Sequence, residues 1–148
     1  MTAAALYTQL VLEHQRAPHN FGALDGHSHA ADGSNPLCGD ALRIELLCRD
    51  GRIALMHFHG EACAIAVAAA SMLSDLAVGK SPADVARMEA AFGRLVEGSL
   101  AHDAALADLN AMQALTRYPT RRKCALLAFA TLRAALAGTA SATTEGSS

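Results

Sequence analysis

Three cysteines and one aspartate are the residues of this chain best suited to chemistry. Cys38 lies in the run Asn-Pro-Leu-Cys-Gly-Asp, which ends at Asp40, while Cys63 follows Gly-Glu-Ala and Cys124 follows Arg-Arg-Lys. Three thiolates and one carboxylate make a four-ligand set for a single metal ion. Their wide separation excludes a self-contained zinc finger, because ligands this far apart meet only after most of the chain has folded. The sequence therefore predicts one metal site that depends on a whole domain.

The ligand types and their local sequences indicate what the site would hold. Thiolates are soft ligands that suit Zn²⁺ or an iron–sulfur cluster, and the carboxylate of Asp40 is a harder and more easily displaced ligand. Gly39 permits a sharp turn, so Cys38 and Asp40 can face one centre. Cys63 and Cys124 are predicted at or just before helix N-termini, where the helix dipole favours a thiolate. A displaceable ligand matters if a sulfur must leave the metal to react.

Length and composition are typical of one intracellular domain. A chain of 148 residues can bury roughly 70 % of its unfolded surface without disulfides, which leaves its cysteines free for chemistry. No secretory signal is visible at the start, and the longest apolar run, residues 62–70, is far below the roughly 18 residues of a membrane span. We therefore expect a cytoplasmic protein without a membrane partner. The net charge of −2 gives no reason to expect nucleic-acid binding.

Alternating apolar and polar residues predict a small antiparallel sheet. Segments 41–49 and 52–60 alternate in this way on either side of Asp50-Gly51, a dipeptide that tight hairpin turns favour. A short additional strand is expected over residues 27–31. The sheet is thus predicted to have three strands.

Helical periodicity and capping signals predict the remaining elements. The segment after Cys63 is nearly all apolar with small side chains, which favours a buried helix packed on the sheet. Further helices are predicted over residues 3–16, 81–96, 102–115 and 121–137. The Gly-, Ser- and Thr-rich tail, residues 138–148, is expected to be disordered. The fold class is α+β, with one domain over residues 1–137 and helices packed chiefly on one face of the sheet.

The cysteine motifs belong to a longer pattern that runs through most of the chain. Its residues are Leu6-Tyr7, Glu13-His14, Pro18, Asn20, Gly22, Asn35-Pro36, Cys38-Gly39-Asp40, Gly60-Glu61, Cys63-Ala64-Ile65, Ala70-Ser71-Met72, Pro119, Arg121, Lys123-Cys124-Ala125 and Leu127. Together these motifs resemble the SufU branch of the IscU/NifU family of iron–sulfur cluster assembly proteins. In the scaffold branch of this family a histidine precedes the third cysteine, whereas Lys123 precedes Cys124 here, and the long segment between Cys63 and Cys124 resembles an insertion of SufU-like members.

The resemblance implies a fold, a metal and a partner. It implies an IscU/SufU-like fold and a Zn²⁺ ion held by Cys38, Asp40, Cys63 and Cys124. It also implies a sulfur carrier, rather than an enzyme in its own right, that accepts sulfur from the persulfide of a PLP-dependent cysteine desulfurase and passes it to downstream cluster-assembly machinery. In the family a desulfurase histidine replaces the first cysteine on the metal, so Cys38 is the expected persulfide acceptor.

Two other functions remain open from the sequence. The first is a scaffold that assembles and transfers a labile [2Fe–2S] cluster on the same four ligands, and Lys123 argues against it. The second is a cysteine-nucleophile enzyme that pairs Cys63 or Cys124 with a histidine such as His59, although no base is placed beside either cysteine by the sequence.

Several other candidate residues receive non-catalytic interpretations. Cys48 is expected to be a buried or half-buried thiol, because a tetrahedral zinc ion already has four ligands. His14 is interpreted as solvated or partner-facing. The cations Arg121, Arg122 and Lys123 either offset the negative charge of the site or form a solvated helix start.

Overall fold

The computed structural model describes residues 2–144 and contains a sheet with strand order β3-β2-β1-β4. Strands β1 and β3 both pair antiparallel with β2, whereas the short β4 pairs parallel with β1. The sheet is therefore mixed at one edge. In chain order the elements are α1 (Ala3–Arg16), β1 (His29–Asn35), β2 (Asp40–Arg49), β3 (Arg52–Glu61), α2 (Ala64–Leu76), α3 (Pro82–Glu97), a 3₁₀ segment (Ala104–Arg117), α4 (Pro119–Leu136) and β4 (Ser141–Thr143).

Two tight turns set the register of the antiparallel strands. Asp50 and Gly51 both have positive φ angles, 54° and 76°, which is the conformation that the predicted hairpin turn requires. The other turn joins β1 to β2, where Asn35 pairs with Asp40. This second turn carries Cys38 at the end of the sheet.

One face of the sheet forms the core. The alternate residues Leu42, Ile44 and Leu46 of β2 are almost fully buried, as are Met56 and Phe58 of β3. Helices α2 and α4 pack against this face, and α1, α3 and the 3₁₀ segment pack on those two helices. The predicted α+β class with helices on one face is confirmed. Within residues 2–144, none of the helices has the length and apolar character needed to cross a membrane.

Polar contacts join α1 and the following loop to α2. His14 is only 7 % exposed, and its Nδ1 lies 2.6 Å from the hydroxyl of Ser71. The backbone N–H of His19 donates to the same hydroxyl, and the His19 ring contacts Asp75. The expectation that His14 is solvated is therefore wrong, because this histidine helps to fix α1 against the core.

Three secondary-structure predictions need correction. The sheet has four strands, because residues 141–143 of the segment predicted to be disordered add β4 beside β1. The remaining tail, residues 145–148, lies outside the described residues. Strand β1 is also longer than predicted and ends at Asn35. The segment predicted as a helix over residues 102–115 is instead a 3₁₀ segment with a break at Ala107, where φ is 48°.

Candidate metal centre

The turn between β1 and β2 presents Cys38 and Asp40. The N–H of Cys38 donates to the carbonyl of Asn35 at 3.2 Å, and Gly39 follows with a φ of 71°, a value that glycine adopts without strain. The turn leaves Cys38 exposed, while Asp40, the first residue of β2, is 3 % exposed. Two residues of one turn thus contribute one accessible sulfur and one buried carboxylate.

Cys63 lies at the N-cap of α2, as predicted. Its backbone N–H donates to Oδ1 of Asp40 at 2.8 Å, so the carboxylate accepts from an N–H that the helix itself leaves unpaired. The sulfur of Cys63 lies 3.8 Å from Oδ2 of Asp40. Asp40 therefore connects the end of the sheet to the beginning of α2.

Cys124 lies in α4. The sequence predicted it at the N-terminus of a helix, and the structure places it further along. The helix begins at Pro119, so Cys124 lies in its second turn and is fully buried. Proline is well suited to the first position of a helix, because its missing N–H would have no partner there and its φ is already helical. The sequence prediction treats Pro119 as a break and therefore begins this helix at residue 121, two residues too late.

The structure brings three of the four predicted ligands, Cys38, Asp40 and Cys124, together at one end of the sheet. The sulfurs of Cys124 and Cys38 are 3.2 Å apart, and ligand atoms of Cys38, Asp40 and Cys124 all lie within 4.8 Å of one another. Cys63, the fourth predicted ligand, lies outside this group of three and adjoins it through the 3.8 Å contact between its sulfur and Oδ2 of Asp40. Cys48 lies elsewhere, in β2 near its hairpin with β3.

Asn35 supplies hydrogen-bond donors behind the cluster. This side chain is 1 % exposed, and its Nδ2 lies 3.2 Å from Oδ2 of Asp40 and 3.5 Å from the sulfur of Cys124. Donors aimed at a carboxylate and a sulfur stabilise their anionic forms. The Asn35-Pro36 pair was visible in the sequence as part of the family motif, but its contact with Cys124 required the fold.

The pKa values of Cys63 and Cys124 are shifted in opposite directions. The hydrogen bond from Cys124 lowers the pKa of Cys63 to about 7, assisted by the N–H groups of Ala66 and Ile65 at the start of α2 and opposed by burial. The pKa of Cys124 is raised far above its ordinary range, first by its hydrogen bond to Cys63 and then by burial. Near neutral pH, Cys63 is therefore the preferred thiolate of this pair.

The cations before Cys124 have separate environments. Arg122 donates to the carbonyls of Leu115 and Thr116, at the end of the 3₁₀ segment. Burial raises the pKa of Tyr7, and the positive charge of Arg121 opposes this shift. Arg122 thus secures the connection into α4, while Arg121 lies close enough to influence the side chains around the site.

The donor set fits a tetrahedral zinc ion. Three sulfurs and one carboxylate oxygen provide four ligands of the types that Zn²⁺ accepts, and bonds of about 2.3 Å would place two sulfurs roughly 3.8 Å apart. The sulfurs of Cys38 and Cys124 are 3.2 Å apart, closer than that separation, and Cys63 lies beside this pair at Asp40, so small side-chain shifts are needed to place all four ligands around one ion. Zinc-ligating groups also commonly receive outer hydrogen bonds of the kind that Asn35 donates.

Comparison with known proteins identifies the family. Residues 6–125 match the NifU-like N terminal domain. The chain belongs to this family. The predicted membership of the IscU/NifU family of iron–sulfur cluster assembly proteins is thereby confirmed.

Relatives of this NifU-like domain carry two kinds of name. The chain is 32 % identical over 133 residues to the zinc-dependent sulfurtransferase SufU of Bacillus subtilis (strain 168), with 89 % of this chain and 90 % of SufU covered. It is 30 % identical over 138 residues to the iron–sulfur cluster assembly scaffold protein IscU of Streptococcus pyogenes serotype M1, with 93 % and 86 % covered. The relatives therefore include both a sulfurtransferase and a scaffold.

A solved structure supports the fold. The crystal structure of FiSufU from Fervidobacterium islandicum AW-1 superposes with a TM-score of 0.82 at 23 % identity, covering 89 % of this chain and 97 % of that one. At this identity the likeness shows the fold alone, and it agrees with the predicted IscU/SufU-like architecture.

Proposed function

We propose that this NifU-like domain is a zinc-bound sulfur acceptor in iron–sulfur cluster assembly. It takes sulfur from the persulfide of a PLP-dependent cysteine desulfurase onto Cys38 and passes it to downstream assembly machinery. The observation that carries the proposal is the contrast in access: Cys38 is exposed on a turn, Cys63 is half-buried and Cys124 is fully buried. A partner protein reaches Cys38 first.

The transfer step is a thiol–persulfide exchange. The Cys38 thiolate attacks the terminal sulfur of the desulfurase persulfide, and a new sulfur–sulfur bond forms on Cys38. The original sulfur–sulfur bond breaks, and its electron pair leaves with the desulfurase cysteine as a thiolate, which then takes up a proton. No external oxidant or reductant is consumed. The domain therefore acts as a carrier that depends on the desulfurase for its sulfur.

Cys38, Asp40, Cys63 and Cys124 would hold the zinc ion, which supplies a positive charge that keeps the sulfurs deprotonated and shielded until a partner engages them. The chain itself keeps the rest of the site assembled when Cys38 moves. Asp40 is bound to the backbone of Cys63, and Asn35 donates towards both Asp40 and Cys124. These contacts do not involve Cys38, so its departure leaves three ligands in place.

Substitution of Cys38 tests the acceptor role. We expect Cys38→Ala to abolish stimulation of a cysteine desulfurase, because the one fully exposed sulfur of the cluster is removed, while part of the zinc is retained by the other ligands. The measurement is sulfide release by the desulfurase in the presence of each variant, with zinc determined by elemental analysis.

Cys48→Ala is the matched control, since it removes a thiol outside the cluster. It should retain both zinc and full stimulation. A Cys38→Ala protein that stimulates the desulfurase as well as the wild type does would remove Cys38 from the mechanism.

A scaffold function is the second candidate, and the likeness to the Streptococcus pyogenes IscU favours it. The same four ligands would then carry a [2Fe–2S] cluster. Anaerobic reconstitution with iron and sulfide separates the two proposals. A scaffold gains visible absorbance and transfers its cluster to an apo-protein, whereas a sulfur acceptor stays colourless with one zinc per chain.

The cysteine-nucleophile alternative receives no support from the site. Within the part of the chain that the structure describes, the side-chain hydrogen bonds of the three clustered cysteines run to one another, to Asp40 and to Asn35. None of these sulfurs is paired with a histidine base, and His59 lies on β3. These contacts support a metal centre in preference to a catalytic pair.

A further inference from the structure

The C-terminal strand places a buried hydroxyl behind the candidate metal centre. Strand β4 pairs with β1 from Asp32 to Ser34, and the N–H of Thr144 extends the pairing by donating to the carbonyl of Ser34 at 3.1 Å. Thr144 is only 1 % exposed, and its hydroxyl lies 2.9 Å from Oδ1 of Asn35. Thr144 thus contacts the residue that donates to two candidate ligands.

The Asn35 amide has a partner at each of its two ends. Its donating and accepting ends are nearly equal in size, and its neighbours decide which way it points. The carboxylate of Asp40 can only accept, so it selects Nδ2, which is also directed at Cys124. The Thr144 hydroxyl donates to Oδ1 on the other side and so holds the amide in this orientation.

We propose that Thr144 is a positioning residue of the metal centre. It locks the Asn35 amide so that Nδ2 supports Asp40 and Cys124, and it thereby slows the loss of zinc from the site. The inference rests on the proposed zinc-binding function. It concerns a residue outside residues 6–125, the part of the chain that matches the family. The strand that delivers it therefore has a functional role in addition to closing the sheet edge.

Zinc release measures this role directly. Zinc-loaded wild type and Thr144→Val are mixed with an excess of a colorimetric zinc chelator, and the release rate is followed by absorbance. Threonine and valine have nearly the same shape, so the substitution removes one hydroxyl with little change in packing. We expect release to be about 10-fold faster in Thr144→Val, which is within the range typical of lost outer hydrogen bonds around metal ligands.

Two matched variants separate positioning from general damage. Thr144→Ser keeps the hydroxyl and should release zinc at nearly the wild-type rate. Thr139→Val makes the same chemical change at an exposed position of the preceding turn and should behave as wild type. Faster release from Thr144→Ser, to the same extent as from Thr144→Val, would overturn the role of the hydroxyl.

A double-mutant cycle tests whether Thr144 acts through Asn35. Asn35→Ala alone should accelerate zinc release, and adding Thr144→Val to it should change the rate by less than about twofold, because the contact is already absent. A full 10-fold effect of Thr144→Val in the Asn35→Ala background would show that the two residues act independently and would overturn the proposal.

Amide hydrogen exchange provides a test that requires no variant. The Thr144 N–H should exchange slowly in the folded wild type, since it donates to Ser34 in a buried setting. Exchange as fast as in an unstructured peptide would refute the docking of the strand. The outcomes also separate the two proposals. A wild type that retains no zinc defeats the proposed function, whereas a wild type that retains zinc, with an unaffected Thr144→Val, defeats this inference alone.

Discussion

Asp40 has two contacts that a metal-ligand role alone does not require. Its Oδ1 accepts the backbone N–H of Cys63, and its Oδ2 faces the amide of Asn35. The first contact places a negative charge beside the N-terminus of α2, where the helix dipole is favourable to it. Asp40 is therefore both a candidate ligand and part of the start of α2, and the two roles can be separated by substitution.

Asp40→Asn and Asp40→Ala should differ in stability but not in zinc release. Both remove the anionic ligand, so both should lose zinc to a chelator faster than the wild type. In the metal-free protein, Asp40→Ala should lower the free energy of unfolding by about 1 kcal/mol, because the N–H of Cys63 loses its acceptor. Asp40→Asn keeps an oxygen there and should lose less. Urea denaturation of the metal-free proteins checks the difference, and equal losses would argue against the capping contact.

At the residue scale, three of the four residues predicted from the sequence, Cys38, Asp40 and Cys124, form one group in the structure, and Cys63 lies beside it at Asp40. Side-chain type and local turn signals were enough to select Cys38 and Asp40 and to place Cys63 at a helix start. The position of Cys124 was less accurate, because Pro119 both ends a loop and begins a helix. The contact of Thr144 could not be predicted, since it depends on pairing between strands more than a hundred residues apart in sequence.

Close packing of α4 on β1 determines how the elements present the site. A Cβ at Gly33 would overlap the hydroxyl of Thr131, so the strand accommodates the helix only because residue 33 has no side chain. The same two elements carry Asn35 and Cys124. A residue larger than glycine at position 33 would push apart the two supports of the cluster.

Matched glycine substitutions test this packing. Gly33→Ala should lower the free energy of unfolding by about 1–3 kcal/mol, as expected for overpacking of a core contact. Gly93→Ala makes the same change inside α3, where nothing lies within 4 Å of the added methyl group. It should stabilise the protein by about 0.5–1 kcal/mol, because alanine restricts the unfolded chain and favours helix.

Chemical denaturation of both variants supplies the comparison. A Gly33→Ala protein as stable as the wild type would show that α4 can move away from β1 without cost, which contradicts the close packing seen here.

At the element scale, turn residues and hydrophobic periodicity predicted the elements whose structure depends on residues close in sequence. The hairpin around Asp50-Gly51 and the first helix, Ala3–Arg16, follow from turn chemistry and periodicity and are confirmed. Strand β4 was missed because its composition is typical of a disordered tail, and only pairing with the edge of β1 makes it a strand. Tertiary contact decided the structure of that segment.

Over the whole molecule, the candidate ligands tie together parts of the chain that are distant in sequence. They come from the β1–β2 turn, the start of α2 and the second turn of α4, and the sheet and both inner helices are needed to assemble them. A metal bound only by the assembled site stabilises the folded state at the expense of the unfolded one. Zinc binding and global stability should therefore be coupled.

Removal of zinc should lower the midpoint of thermal unfolding. At free zinc about 100 times the dissociation constant, binding contributes about 2.7 kcal/mol, which corresponds to roughly 5–10 °C for a chain of this size. Calorimetry of the zinc-loaded and the chelator-treated wild type measures the shift. Cys48→Ala should show the full shift and Asp40→Asn a smaller one, since only the latter changes the ligand set. If complete zinc loss left the midpoint unchanged, the ion would not link these segments, and the four side chains would not form one site.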